Sequence, residues 1–155
     1  MKTIDSPVGP LRIAVDEEGR LVELSFVREG RPPSVGSPRL LAHCDRVAEQ
    51  LREYFAGRRR DFDLELAPRG TAFQVIVWNE LRKIPFGDTI SYAELARRIG
   101  KPSAMRAVGA ANGANPIAVI VPCHRVIGAN GSLTGYGGGI ERKQWLLALE
   151  GRRLF

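Results

Sequence analysis

The chain has 155 residues, 44% of them hydrophobic, enough for one domain or two small ones with a real core. No apolar run approaches the roughly 18 residues a membrane span needs, and the first residues, MKTIDSPVGPLRIAV, lack a signal-peptide apolar segment. Two cysteines, Cys44 and Cys123, far apart in the chain, argue against a disulfide framework and for a reducing, cytoplasmic setting.

The net charge of +6 is unevenly placed. Residues 1–68 hold 11 Lys/Arg and 12 Asp/Glu, a balance of −1; residues 69–155 hold 12 and 5, a balance of +7. The basic excess of the second part suits a polyanionic partner or a solubilising surface.

SPVGPLRIAVDEEGRLVELSFV predicts a hairpin. Ile13 and Val15, then Val22, Leu24 and Phe26, alternate on either side of the turn DEEG. A polar Pro/Gly loop follows over 28–38. Ser37 as N-cap and Pro38 at the first position predict a helix, with Leu40, Leu41, Cys44, Val47, Ala48, Leu51 and Phe55 on one face and Gly57 past its end. Cys44 on that face reads as a core residue. RRRDFDLELAPRG contains a short alternating strand and then Pro68 and Gly70, which set the domain boundary: 1–68, then 69–155.

The second part opens on a capping box, Thr71 to Gln74, with Phe73, Ile76, Val77, Leu81 and Ile84 as the apolar stripe of a helix. SYAE, Ser91 to Glu94, is another, starting a short helix to Ile99 that Gly100 and Pro102 break. Ser103 then caps AMRAVGAAN. Two short helices across a tight break have the outline of a helix-turn-helix. The second carries Ala104, Ala107, Gly109, Ala110 and Ala111, with only Arg106 and Asn112 long or polar enough to reach a partner. Such a helix reads little base sequence; packing on a neighbouring helix is the other reading. IERKQWLLALEG closes the chain as a helix with Ile140, Trp145, Leu146 and Leu149 inward.

Between these helices lies IAVIVPCHRVIG, where Cys123 and His124 stand side by side in an apolar run. A free thiol is mostly protonated at neutral pH, so a nucleophilic cysteine needs a base or a positive field. Adjacent side chains on extended backbone diverge, so His124 acts on Cys123 only if Pro122 turns the chain or a water bridges them. Glu150 is the candidate to hold the histidine's other nitrogen. Metal binding by His43, Cys44, Cys123 and His124 lacks ligand spacing, and no metal or cofactor is expected.

The string Pro122-Cys123-His124-Arg125-Val126 resembles the signature of the O6-alkylguanine-DNA alkyltransferases. FQVIVWNELRKIPFGDTISYAELA, RAVGAANGANP, PCHRVIGANGSLTGYGGG and RKQWLLALEG resemble the family in order and spacing across nearly all of 71–151. The resemblance implies an α+β chain: a small N-terminal α/β domain with an antiparallel sheet and helix, then a mainly helical winged helix-turn-helix domain. It implies irreversible, once-only transfer of the alkyl group from O6-alkylguanine, with O4-alkylthymine a second candidate, to Cys123, the damaged nucleotide being flipped out of the duplex.

Under the same resemblance His124 activates the sulfur through a water and Glu150 orients it. Tyr92 donates to the leaving base, and Asn115 ties the recognition helix to the reactive turn. Arg106 fills the gap in the duplex, with Ala107, Ala110, Asn112 and Arg125 beside the DNA. Backbone groups of Cys123 and Val126 hold the guanine edge, Tyr136 walls the pocket, and Gly137 makes any contact there through its backbone N–H. The expected partner is double-stranded DNA containing alkylated guanine, bound by a monomer without strong sequence preference. A winged-helix regulator and a cysteine hydrolase are the rival classes. The first requires base contacts, the second an oxyanion hole.

Overall fold

The computed structural model describes residues 1–30, 32–131, 133 and 136–151. The chain divides into two compact units, Met1–Arg69 and a second beginning at Gly70.

In the first unit β1 (Lys2–Ile4), β2 (Leu11–Val15) and β3 (Leu21–Phe26) form an antiparallel sheet in the order β1-β2-β3. Sequence reading anticipates only the β2–β3 hairpin. β1 is three residues long, too short to display a period, and is fixed by pairing Lys2 with Ile13 and Ile4 with Leu11. The alternation expected over Val22, Leu24 and Phe26 is also corrected. A register shift at Ala14/Val15 changes the phase, so Leu21 and Leu24 are the buried pair.

Helix α1 (Pro38–Phe55) starts as expected, with the Ser37 hydroxyl accepting from the Leu40 amide and Pro38 in the first turn. Its face of Cys44, Val47, Ala48, Leu51 and Tyr54 is buried, and α1 lies against β2. Each fully buried aliphatic side chain contributes about 1.5–3 kcal/mol. The strand expected in DFDLELAP reduces to one bridge, Leu21 to Leu66. Gln50 on α1 instead holds that segment, both donating to and accepting from the Asp63 backbone.

In the second unit α2 (Ala72–Leu81) begins with the complete capping box of Thr71 and Gln74. Its buried residues are Val77, Trp78 and Leu81; Ile76, expected inward, is exposed. The strand β4 (Ile90–Ser91) leads into α3 (Tyr92–Arg98), whose N-cap is Ser91. After the left-handed Gly100 comes α4 (Met105–Gly113). Its N-cap is Ala104, with no side-chain bond, rather than Ser103. Trp78 Nε1 donates to the Ala111 carbonyl at 2.8 Å, fixing α4 against α2.

A 3-10 turn over Cys123–Arg125 runs into β5 (Val126–Ile127), which pairs in parallel with β4. Last comes α5 (Ile140–Leu149). Its expected inner face holds at Leu146 but not at Ile140 and Trp145, which are 48% and 36% exposed, while Lys143, Leu147 and the C-cap Glu150 are buried. A lysine and a glutamate displace two large apolar residues because the site has partners for them. Among the described residues no helix is long and apolar enough to cross a membrane.

Candidate active site

The stretch 117–127 is buried along nearly its whole length, so its backbone polar groups must be satisfied internally. Asn115 does much of this: its Nδ2 donates to the carbonyls of Ile117 at 3.2 Å and Val121 at 2.8 Å, and its Oδ1 accepts from the Ile117 amide at 3.0 Å. These bonds close a loop in which Val119 adopts φ of 70°, a left-handed conformation that a β-branched residue enters at a cost of about 1–3 kcal/mol. The Asn115 clamp therefore joins both ends of the segment just before Cys123. The expected tie to the recognition helix comes instead from the neighbouring Asn112.

Pro122 precedes the 3-10 turn, so the chain does turn at Cys123 and His124. Cys123 is 6% exposed. Burial pushes its thiol up, opposed by the Asn115 side chain and the Lys143 ammonium. His124 is fully buried; its Nε2 lies 2.9 Å from Glu150 Oε2. Burial holds the imidazole below its ordinary value against the pull of Glu150. Glu150 would itself rise on burial, but the hydrogen bonds from His124 and Arg125 bring it down to about 2. The carboxylate is thus ionised at neutral pH, which assigns the proton to Nε2. His124 Nδ1 keeps its lone pair, buried, with no hydrogen-bond partner among the described residues.

Arg125 corrects an expectation. The resemblance places it beside DNA, yet it is buried: Nε and Nη2 grip the two Glu150 oxygens at 2.7 and 2.9 Å, and Nη1 donates to the Ile84 carbonyl. Its guanidinium also stands 5.8 Å from the centre of the Phe86 ring. The neighbouring Gly87 has φ of 91°, and a side chain there would press within 3.2 Å of the Glu150 carbonyl. Arg125 is thus the counter-ion that makes a buried carboxylate tolerable.

Asn112 is corrected in the same way. It faces inward, and its Nδ2 donates to the Cys123 carbonyl at 3.3 Å. Of the α4 residues expected beside the DNA, Arg106, Ala107 and Ala110 are exposed, as is Met105 before them. Tyr92 flanks Gly109, Gly137 flanks the Gly113 carbonyl, and burial drives the Tyr136 phenol well above its ordinary range, with Cys123 adding to the effect. Val126 is buried in β5.

Lys143 was not singled out by sequence reading. Its side chain is fully buried, its Nζ donates to the Val126 carbonyl at 2.6 Å, and burial lowers its ammonium to about 8 even though Cys123 pulls it upward. The spacing of Lys143, Leu146, Leu147 and Glu150, at intervals of three and four, was the available signal. Among the described residues no group of three or more His, Cys, Asp or Glu gathers as a metal site.

The arrangement comprises a nearly buried thiol, the Lys143 ammonium and Tyr136 phenol that interact with it electrostatically, and a neutral imidazole backed by a carboxylate. It is suited to generating a thiolate and protonating a leaving group.

Residues 72–152 match the family model described as the 6-O-methylguanine DNA methyltransferase DNA binding domain, and residues 1–68 match the ribonuclease-like domain of the same family. A methylated-DNA–protein-cysteine methyltransferase of Mycolicibacterium paratuberculosis is 53% identical, covering 97% of this chain and 92% of the relative. One from Methanosarcina acetivorans is 51% identical, covering 95% of each. The crystal structure of Mycobacterium tuberculosis OGT in complex with DNA is 52% identical, with a TM-score of 0.85 over 96% of this chain and 91% of that one.

Proposed function

The chain belongs to the 6-O-methylguanine DNA methyltransferase family, and from that membership we propose how its residues carry out the repair. The protein is a DNA-repair methyltransferase that takes the alkyl group from DNA onto its own cysteine. The observation that carries the residue assignment is the bonded row of Arg125, Glu150 and His124 running up to the turn that bears Cys123.

The lesion's reactive carbon lies within the base stack, so the nucleotide is extruded first, at a cost of a few kcal/mol. Arg106, exposed on α4, fills the gap, with Ala107 and Ala110 permitting close approach to the groove. The thiol proton of Cys123 passes toward His124 Nδ1, and Lys143 stabilises the sulfur anion. The thiolate attacks the alkyl carbon in line; the C–S bond forms as the C–O6 bond breaks. The electron pair flows into the base, which takes up a proton and leaves as guanine, with the Tyr92 hydroxyl donating to it. Among the described residues the thioether has no neighbour able to remove the alkyl group, so each chain acts once.

The substrate is O6-alkylguanine in duplex DNA, with O4-alkylthymine a second candidate. The alanine surface of α4 supports binding without strong sequence preference, and one chain supplies every group used, as a monomer. A regulator needs base-reading side chains on α4, and the exposed face offers only Arg106.

Incubating limiting protein with a duplex carrying O6-methylguanine tests the reading: lesion should disappear in amount equal to protein and then stop. Continued turnover, or lesion unchanged, refutes it.

Arg106→Ala should slow repair of duplex lesion about tenfold or more and leave transfer from the free base O6-methylguanine unchanged, as measured by single-turnover kinetics. Equal losses on both substrates would remove the extrusion role. Lys143→Met should slow alkylation of Cys123 by iodoacetamide about tenfold at pH 7 and move its pH–rate profile upward, because the ammonium opposing burial is gone. An unmoved profile would confine Lys143 to packing.

A further inference from the structure

We propose that Trp78 is a positioning residue for extrusion of the damaged nucleotide: its indole N–H anchors the C-terminal end of α4 and so sets where Arg106 stands, while Gly70 is the seat that keeps the ring in place. The inference rests on the reading above, that Arg106 fills the gap left by the flipped nucleotide.

Three observations carry it. First, α4 is weakly tied by its own sequence. Its N-cap, Ala104, makes no side-chain bond, and its last turn holds no basic residue to meet the end carbonyls. The Asn115 amide would be the ordinary helical partner of the Ala111 carbonyl, four residues back. It goes to the Asn112 carbonyl instead, at 3.4 Å. The Ala111 carbonyl, on a residue 3% exposed, is left with the Ala114 amide at 3.2 Å and the shorter bond from Trp78 Nε1 at 2.8 Å. A side chain of α2 thus completes the end of α4.

Second, the indole is held at its other edge. Trp78 is 1% exposed. A methyl built on Gly70 would lie 2.3 Å from Cη2 and 2.6 Å from Cζ3 of the ring, so only glycine leaves the ring its place. The next atom such a methyl would meet is Gln74 Oε1, which is committed to the Thr71 amide in the capping box. The ring is rigid, and the seat cannot yield without disturbing the start of α2. Held on that side, the N–H points to one acceptor.

Third, Arg106 and Ala111 share one helix of nine residues. At about 1.5 Å per residue it is a short rod, and a displacement at Ala111 is carried to Arg106. The turn bearing Cys123 is braced separately, by the Asn115 clamp on the Ile117 and Val121 carbonyls. Loss of the anchor should therefore damage the step on DNA and spare the thiol, whereas a tryptophan that only fills space would damage both together.

The test is single-turnover transfer by the full chain from duplex O6-methylguanine and from the free base, beside alkylation of Cys123 by iodoacetamide. Trp78→Phe, which keeps an aromatic ring and deletes the N–H, should slow the duplex reaction about tenfold. The free-base and iodoacetamide reactions should stay within about twofold of the wild type. Gly70→Ala, which adds one methyl group against the ring, should show the same split and serves if the phenylalanine variant does not fold. If Trp78 works through Arg106, the double variant Trp78→Phe/Arg106→Ala should react with duplex within about twofold of Arg106→Ala alone.

Equal losses on duplex and free base, or a duplex rate unchanged in both single variants, overturn the proposal. So does a double variant slower than Arg106→Ala by the full Trp78→Phe factor; each of these leaves the repair function intact. No transfer from duplex by the wild type overturns the repair reading, and this inference with it.

Discussion

Cys123→Ala is expected to abolish methyl transfer, with the rate falling at least about 1000-fold to below detection, while duplex binding persists. Neither Cys44 nor His124 can take over. The remaining cysteine, Cys44, is fully buried in the first unit, and its thiol is pushed up by burial. His124 keeps its free nitrogen but has no sulfur to activate, and a neutral imidazole is a poor acceptor of an alkyl group from an ether. The fold should tolerate the change, because alanine removes a single sulfur from a site that still has the Asn115 clamp, at a cost of about 1 kcal/mol. The checks are lesion content after incubation and binding by fluorescence anisotropy. Retained transfer would move the nucleophile elsewhere.

Glu150→Gln should damage both rate and stability. The carboxylate accepts from His124 Nε2 and from two Arg125 nitrogens, all buried. A neutral amide leaves the guanidinium without its counter-charge, which costs about 3–5 kcal/mol for a buried pair. The melting temperature should fall by about 10 °C. Transfer at a temperature where the variant is folded should slow about 100-fold, because the imidazole loses the anion that fixes its tautomer and supports its protonated form.

The pH dependence gives a separate signature. Glu150 titrates at about 2 in the folded chain against an ordinary 4.5, so the unfolded chain binds the extra proton in between. The resulting stability is fully present above about pH 4.5. It is lost as the pH falls toward 2, on the order of 3 kcal/mol in all. The variant should lack that slope. An acid profile superimposable on the wild type would remove Glu150 from the buried network.

Much of the scaffold is legible in the chain because its signals are local. Ser37 with Pro38, Thr71 with Gln74, and Ser91 mark three helix starts that the structure keeps. Each works through atoms within one turn. Pro122 likewise announces the turn at Cys123. What stays hidden depends on distant partners. The two-residue strands β4 and β5 pair Ile90 with Val126 and Ser91 with Ile127, far apart in the chain, and carry no period.

Polarity misled where it was read as exposure. The resemblance sets Arg125 and Asn112 beside the DNA, and charged and amide side chains usually lie outside. Here Glu150 and the Cys123 carbonyl draw them in. On α5 the same reason turns Ile140 and Trp145 outward, though Leu146 is buried as expected. Trp145 and Ile140 outrank Lys143 in hydrophobicity, but only Lys143 satisfies the Val126 carbonyl. The departures from simple patterning gather around Cys123, where chemistry requires polar groups in a dry place.

The most direct measurement is intact-protein mass spectrometry of the full chain after mixing with excess duplex containing O6-methylguanine, followed by peptide mapping. The account predicts that every chain gains the mass of a single methyl group in place of hydrogen, located on the peptide containing Cys123, and gains no more on longer incubation. An unchanged protein mass, or a methyl group found on any other residue, would contradict it.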